Sequence, residues 1–171
     1  MRLTQGIAVA LAIAGGVASA DSHLSSYMDG IETCLLTSDD TRQCIGIGSQ
    51  TCSQVEEGGF STQGMVGCMI AERDAWDSLL NAEYQQARGF AQALDVRDRA
   101  DAPEYAIRAG QLRDAQRAWI PFRDANCRME AGAWGQGTFA QVLMAECLMR
   151  MTGERALDLR RHRIWLQGET N

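Results

Sequence analysis

The chain has 171 residues, 46% hydrophobic and 22% charged, with six Cys and a formal net charge of −6; this is a globular composition, neither a disordered tail nor a collagen-like repeat. All sixteen basic side chains are Arg, which excludes Schiff-base and pyridoxal-phosphate chemistry, a Ser-Lys dyad and a Walker P-loop. The acidic balance also speaks against nucleic-acid binding, which needs a basic face to neutralise phosphates.

The first twenty residues read as an export signal. Arg2 lies in a short charged start, Ile7 to Val17 is an apolar run, and Ala18-Ser19-Ala20 supplies the small residues of a cleavage site. The run is shorter than the ~20 residues of a membrane span, and no later stretch matches it, so no membrane span is expected. Asp21 stands where a lipoprotein would carry Cys, so no lipid anchor is expected either. Cleavage after Ala20 removes Arg2 and no acid, which takes the formal charge from −6 to −7 and predicts a periplasmic or secreted protein.

All six Cys follow that cut. An even count in an exported chain predicts three disulfides, and no C-x-x-C pair suggests zinc instead. Six Cys allow fifteen pairings, among which the sequence does not choose. Neighbour pairing is the expectation adopted: Cys34–Cys44, Cys52–Cys68 and Cys127–Cys147. Residues 21–62 hold three of the Cys and several Gly, which predicts a Cys-rich extension of short helices and loops.

From Ser61 the pattern changes. Val66, Met69, Ile70, Trp76, Leu80, Tyr84, Ala87, Ala91 and Leu94 recur at steps of three and four, one face of a long amphipathic helix. The pattern fades near Asp95 to Ala100. Asp101-Ala102-Pro103-Glu104 predicts a new helix start with an Asp cap and an early Pro. Leu112, Ala115, Trp119 and Phe122 would form its apolar face, and Pro121 inside it predicts a kink or a break. Gly132 to Gly137 is a turn, Thr138 with Gln141 a capping box. The last helix is apolar on most sides from Phe139 to Met151, so it should be central, with a polar, exposed tail over Asp158 to Arg163. The fold expected is an all-α, disulfide-stapled helical bundle with three long helices over residues 63–167. Glu104–Arg108, Asp124–Arg128 and Glu146–Arg150 have the i,i+4 spacing that supports exposed helices by a few tenths of a kcal/mol.

Candidate chemistry is sparse. The two His, His23 and His162, lie near the mature terminus and in the polar tail. No Ser has a G-x-S-x-G context, and oxidised Cys are unavailable as nucleophiles. No enzyme activity and no cofactor is therefore expected. Met129, Met144, Cys147, Met149 and Met151 make a sulfur-rich region that suits Cu(I), although Met at these spacings on an apolar helix is core filling. A terminus reading Asp21-Ser22-His23 after cleavage offers an amine, two amides and an imidazole to Cu(II).

Four stretches carry a resemblance. They are the Cys52–Cys68 spacing; Cys68-Met69-Ile70-Ala71-Glu72 running into Trp76-Asp77-Ser78-Leu79-Leu80-Asn81-Ala82-Glu83-Tyr84; Ala115-Gln116-Arg117-Ala118-Trp119-Ile120-Pro121-Phe122-Arg123-Asp124-Ala125-Asn126-Cys127; and Cys147 followed by Thr152 and Arg155. Together, over roughly residues 34–160, they resemble the LprI-type lysozyme inhibitor domain of bacterial envelopes. The resemblance implies a secreted, disulfide-bonded helical protein that binds a lysozyme-type muramidase and protects peptidoglycan. It marks Trp76, Asp77, Asn81, Tyr84, Gln116, Arg117, Trp119, Arg123 and Asp124 as signature positions, expected to be structural. Trp119 should lie in the core, and Arg123 with Asp124 should hold helices together. An acidic chain suits a basic partner, since opposite charge speeds encounter. The Ala133-Trp134-Gly135-Gln136 turn beside Cys127–Cys147 is the candidate contact element. The alternatives are an envelope protein that binds Cu(II) or a small ligand through Asp21, Ser22 and His23, and a structural or assembly partner of another envelope protein.

Overall fold

The computed structural model describes residues 21–170; the expected export signal over the first twenty residues lies outside the described residues. The described chain is all-α, without a strand. Helices α1 (Asp21–Leu24), α2 (Asp29–Thr37) and α3 (Ile47–Val55) form the N-terminal layer, with 3-10 turns at Ser25–Met28 and Thr41–Cys44. Three long helices follow: α4 (Thr62–Asp98), α5 (Arg108–Gly132) and α6 (Phe139–Thr170), of 37, 25 and 32 residues.

Ser61 starts α4 by accepting the backbone N–H of Gly64 through Oγ at 3.0 Å, the ordinary N-cap bond. The stripe that α4 buries runs through Cys68, Glu72, Trp76, Leu80, Glu83, Ala87, Ala91 and Leu94, the spacing of three and four that returns a side chain to one face. Ile70, expected in that stripe, is 41% exposed. Three carboxylates take inward positions instead. Long α4 packs side by side with α6, their most extensive interface. Glu83 meets Arg163, and the Arg97 guanidinium donates to the Glu169 carbonyl at 2.9 Å, so the two helices run parallel. Gly153 is where α6 comes closest to Trp76: a Cβ there would lie 2.9 Å from Ile45 and 3.3 Å from the indole.

Helix α5 returns antiparallel between these ends, on the side away from the N-terminal layer. Its start is capped from the preceding helix: Asp95 accepts the backbone N–H of Arg108 and of Ala109, each at 3.0 Å. The expected start at Asp101 is therefore displaced. Pro103–Tyr105 forms only a 3-10 turn after Ala102, and the acid that caps the helix lies on α4. The inward face also differs. Leu112, Gln116, Cys127 and Ala131 are buried, whereas Ala115 is exposed and Phe122 is 61% exposed. Helix α5 continues through Pro121 without a break. Pro121 is exposed, so its missing N–H faces no buried acceptor in need of a donor. Pro121→Ala is expected to raise stability by roughly 1–2 kcal/mol, after allowing for the greater freedom of Ala in the unfolded chain. An unchanged or lower urea midpoint would show that the ring costs this helix nothing.

The tail of α6 is not simply solvated. Leu159 and Leu166 are 2% and 1% exposed, and Arg163 pairs with nearly buried Glu83. The i,i+4 pairs also give way to tertiary ones. Arg108 binds Asp95 and Asp98, and Arg150 binds Glu130 at 3.0 Å. Asp124 pairs instead with its neighbour Arg123 on the same helix, at 2.8 Å, so that pair does not itself join two helices.

The N-terminal layer shares the bundle's core. Met28, Ile31 and Leu35 are buried in one cluster with Trp76 and Leu80. The disulfides join Cys34–Cys44, Cys52–Cys68 and Cys127–Cys147, with Cα–Cα distances of 5.7, 5.7 and 5.5 Å. The second ties α3 to α4 and the third ties α5 to α6. Loops of this length are worth about 3 kcal/mol each through the unfolded state.

At the far end of the bundle, hydrogen bonds from Arg97 and then Arg108 hold the Asp98 carboxyl below the ordinary carboxylate range. The fold thus favours the charged form. Its contribution is complete above the unfolded value of about 4 and is lost as pH falls through the lower folded value. Asp98→Asn is expected to flatten the loss of stability below about pH 4. Urea midpoints of both proteins measured across that range check this, and parallel curves would refute it.

Candidate functional site

Helix α5 ends in a short turn that carries the exposed Trp134 next to Phe139 at the start of α6. The backbone N–H of Trp134 donates to the Ala131 carbonyl at 3.2 Å, and that of Gly135 to Gly132 at 3.1 Å. Gly135 has φ 62°, the left-handed conformation that Gly adopts without a Cβ penalty. Ala133 and Gln136 are exposed, as is Trp134 at 60%. The Trp134 ring meets Phe139 edge to face, with centroids 5.3 Å apart. Cys127–Cys147 closes the two helices beneath the turn. Beside it lies an open groove of about 590 Å3, walled by Val66, Ile70, Arg73, Arg128, Met144 and Leu148. Arg73 Nε is buried there without a hydrogen-bond partner among the described residues, although its terminal nitrogen pairs with Asp74 at 2.6 Å. Water or an acceptor on a bound partner satisfies such a donor.

The signature residues gather elsewhere. Fully buried Trp76 donates from Nε1 to Glu72 at 2.8 Å. Glu72 also accepts the backbone N–H of Gly46 at 2.6 Å and of Ser49 at 2.7 Å. The carboxylate therefore caps α3 from inside the protein, opposite the positive end of the helix dipole. Tyr84 and Trp119 are half-buried against the core. Between α5 and α6, Arg155 Nε donates to Gln116 Oε1 at 2.9 Å, and Arg123 donates to Thr152 Oγ1 at 3.4 Å. The guanidinium carbons of Arg123 and Arg155 lie 5.0 and 6.0 Å from the Trp119 ring centre, within reach of a cation–π attraction. Desolvation lowers the Arg155 pKa from the usual arginine value, opposed by the Asp158 charge. Asn81 donates to Asp77 at 3.0 Å near the surface, and Arg117 is exposed. The signature is thus mostly a packing and polar-bonding set, and it does not converge with the 132–137 turn.

Sequence reasoning missed Glu72, Glu83 and Asp95. Their signal was an acid at an inward step of the α4 stripe. It also left the pairing of Arg155 unread.

The sulfur-rich region is divided among different roles. Cys147 is in a disulfide, Met149 is buried and accepts from Ser49 Oγ at 3.4 Å, Met151 accepts from Asn126 at 3.4 Å, and Met129 is 65% exposed. His23 lies in α1, its Nε2 3.3 Å from Glu56 Oε2. The Tyr27 hydroxyl donates to the same Glu56 at 2.6 Å and, with His23, holds that carboxyl below its usual range. Among the described residues no group of three or more His, Cys, Asp and Glu is placed to hold a metal ion, and no helix is long and apolar enough to cross a membrane.

A family model described as lysozyme inhibitor LprI matches residues 52–159. An uncharacterized protein of Rhizobium meliloti (strain 1021) is 30% identical over 93 residues, which cover 54% of this chain and 67% of the relative. No solved structure matches the chain.

Proposed function

The chain belongs to the lysozyme inhibitor LprI family, and from that premise we propose that it is exported to the periplasm or beyond, binds a basic lysozyme-type muramidase and protects peptidoglycan. The mechanism is binding without catalysis. The single observation that carries this reading is the exposed Trp134, presented on a short turn whose flanking helices are locked by Cys127–Cys147. A preorganised turn loses little entropy on entering a cleft, and Trp is among the residues that dominate interface energies.

Charge supports the same reading. Residues 21–62 hold seven acidic residues and one Arg, so most of the net negative charge sits on the N-terminal layer. That field attracts a basic partner and raises its association rate at low salt.

The test is turnover of a peptidoglycan substrate by several lysozyme classes, with and without the oxidised mature protein, at low and physiological salt. Stoichiometric inhibition that weakens with salt is expected. Absence of inhibition in every class, by protein with a cooperative melt, overturns the proposal.

A further inference from the structure

A second depression lies away from the Trp134 turn, between α5 and the C-terminal half of α6. It encloses about 490 Å3. Leu112, Leu159 and Leu166 give it an apolar floor, while Arg155, His162 and Trp165 line its walls. His162 stacks on Trp165, with ring centres 5.9 Å apart and planes 22° apart.

Arg155 is the unusual member. Three other partly buried guanidiniums have a carboxylate: Arg108 has Asp95 and Asp98, Arg123 has Asp124, and Arg163 has Glu83. Arg155 is half-buried, yet it forms no ion pair among the described residues. Its hydrogen bond goes from Nε to the neutral amide oxygen of Gln116. Asp158, which also lines the pocket, is bound by Arg161 at 2.6 Å. Of the five Arg in residues 150–163 of α6, Arg150, Arg161 and Arg163 are paired with Glu130, Asp158 and Glu83, which leaves Arg155 as the guanidinium of this pocket without a carboxylate of its own.

A partly desolvated guanidinium needs an anion to offset the water it has lost, and a planar fork with free terminal nitrogens suits a carboxylate. We propose that this pocket binds a small organic carboxylate, with Arg155 holding the charged group and the apolar floor and Trp165 holding the body of the ligand. The dimensions fit a small-molecule site, which combines an apolar lining with a few fixed polar groups. Its occupancy does not depend on lysozyme binding.

The experiment titrates the oxidised mature protein with phenylacetate, phenylacetamide and inorganic phosphate, reading Trp fluorescence and the His162 imidazole signals by NMR. Phenylacetate is expected to bind saturably, at least tenfold tighter than the neutral amide, and to shift the His162 signals. Arg155→Gln should abolish that preference, and Trp134→Ala should leave it intact. Equal binding of acid and amide, or no saturation by about 10 mM phenylacetate, overturns the proposal, as does phosphate binding with no response to phenylacetate. If Arg155→Gln fails to fold, Ala115→Trp decides: the exposed Ala115 lines the same pocket, and filling it should remove binding while the melt is retained. Unaltered phenylacetate affinity in that variant would place the ligand elsewhere and refute the site.

Discussion

Glu72→Ala is expected to lower the unfolding free energy by about 4 kcal/mol or more, since it strands three buried donors at once. The side chain is fully buried and accepts from Gly46 N, Ser49 N and Trp76 Nε1 at 2.6, 2.7 and 2.8 Å. The intact side chain is closed off from solvent. The two backbone donors belong to the first turn of α3, which Gly46 opens with φ 100°; they have no intrahelical acceptor, so only a side chain from elsewhere can satisfy them. The carboxylate thus closes the N-terminal layer onto α4 as well as fixing the indole at the centre of the core. Glu72→Gln should be milder, by about 2–3 kcal/mol. One amide oxygen still accepts, but the amide nitrogen faces the Ser49 N–H or its neighbours, donor against donor. Urea titrations of the oxidised proteins, with far-UV circular dichroism and Trp fluorescence followed together, measure both. A fall in Tm of roughly 10 °C accompanies the larger loss. A cost under about 1 kcal/mol for Glu72→Ala, the size of an ordinary exposed contact, would show that the layer is held by Cys52–Cys68 and apolar packing alone.

What the sequence disclosed, and what it hid, follows from which interactions leave a periodic trace. Helix α4 was legible because Trp76, Leu80, Ala87, Ala91 and Leu94 repeat at helical steps and Ser61 marks the start. On helix α5 the expected face holds at Leu112 and Trp119 but is one position off at Ala115 and Phe122, because its inner face is polar there. Gln116 faces Arg155 and Arg123 faces Thr152, and an apolar template slides past such positions onto Ala115 and Phe122. The Asp95 cap was invisible for another reason: donor and acceptor are 13 and 14 residues apart, and no local motif encodes a cap supplied by a neighbouring helix. The same holds for the charges. Spacing i,i+4 names partners within a helix, but an Arg facing a carboxylate on the next helix in a shielded cleft gains more than one facing water. The Trp134 turn was recognisable from its glycines, whereas the exposure of its indole depends on where the two helices end.

Among the effects on function, Trp134→Ala is expected to be the largest. It should weaken inhibition of a susceptible lysozyme by about 30-fold or more, the loss typical when a central aromatic anchor is truncated. Because the side chain is 60% exposed in the free protein, its removal strips little from the core. The melt should shift by only a degree or two, leaving fold and binding effects separable. The turn keeps its backbone bonds and Cys127–Cys147 whatever residue stands at the tip. Trp165, 58% exposed on the tail of α6, is the matched control: Trp165→Ala should leave inhibition unchanged. A neutralised N-terminal layer probes the other half of the mechanism. Glu32→Gln, Asp39→Asn and Glu57→Gln together remove three exposed charges without touching the turn. That variant should slow association several-fold at low salt and leave dissociation as it was, since steering acts on encounter. Trp134→Ala should do the reverse, speeding dissociation while keeping the salt dependence. Stopped-flow or surface-based kinetics against the same lysozyme read both quantities. Full inhibition by Trp134→Ala would reduce the turn to a connection and shift the contact to the acidic layer. A rate that ignores both changes would remove this face and that layer from the binding surface altogether.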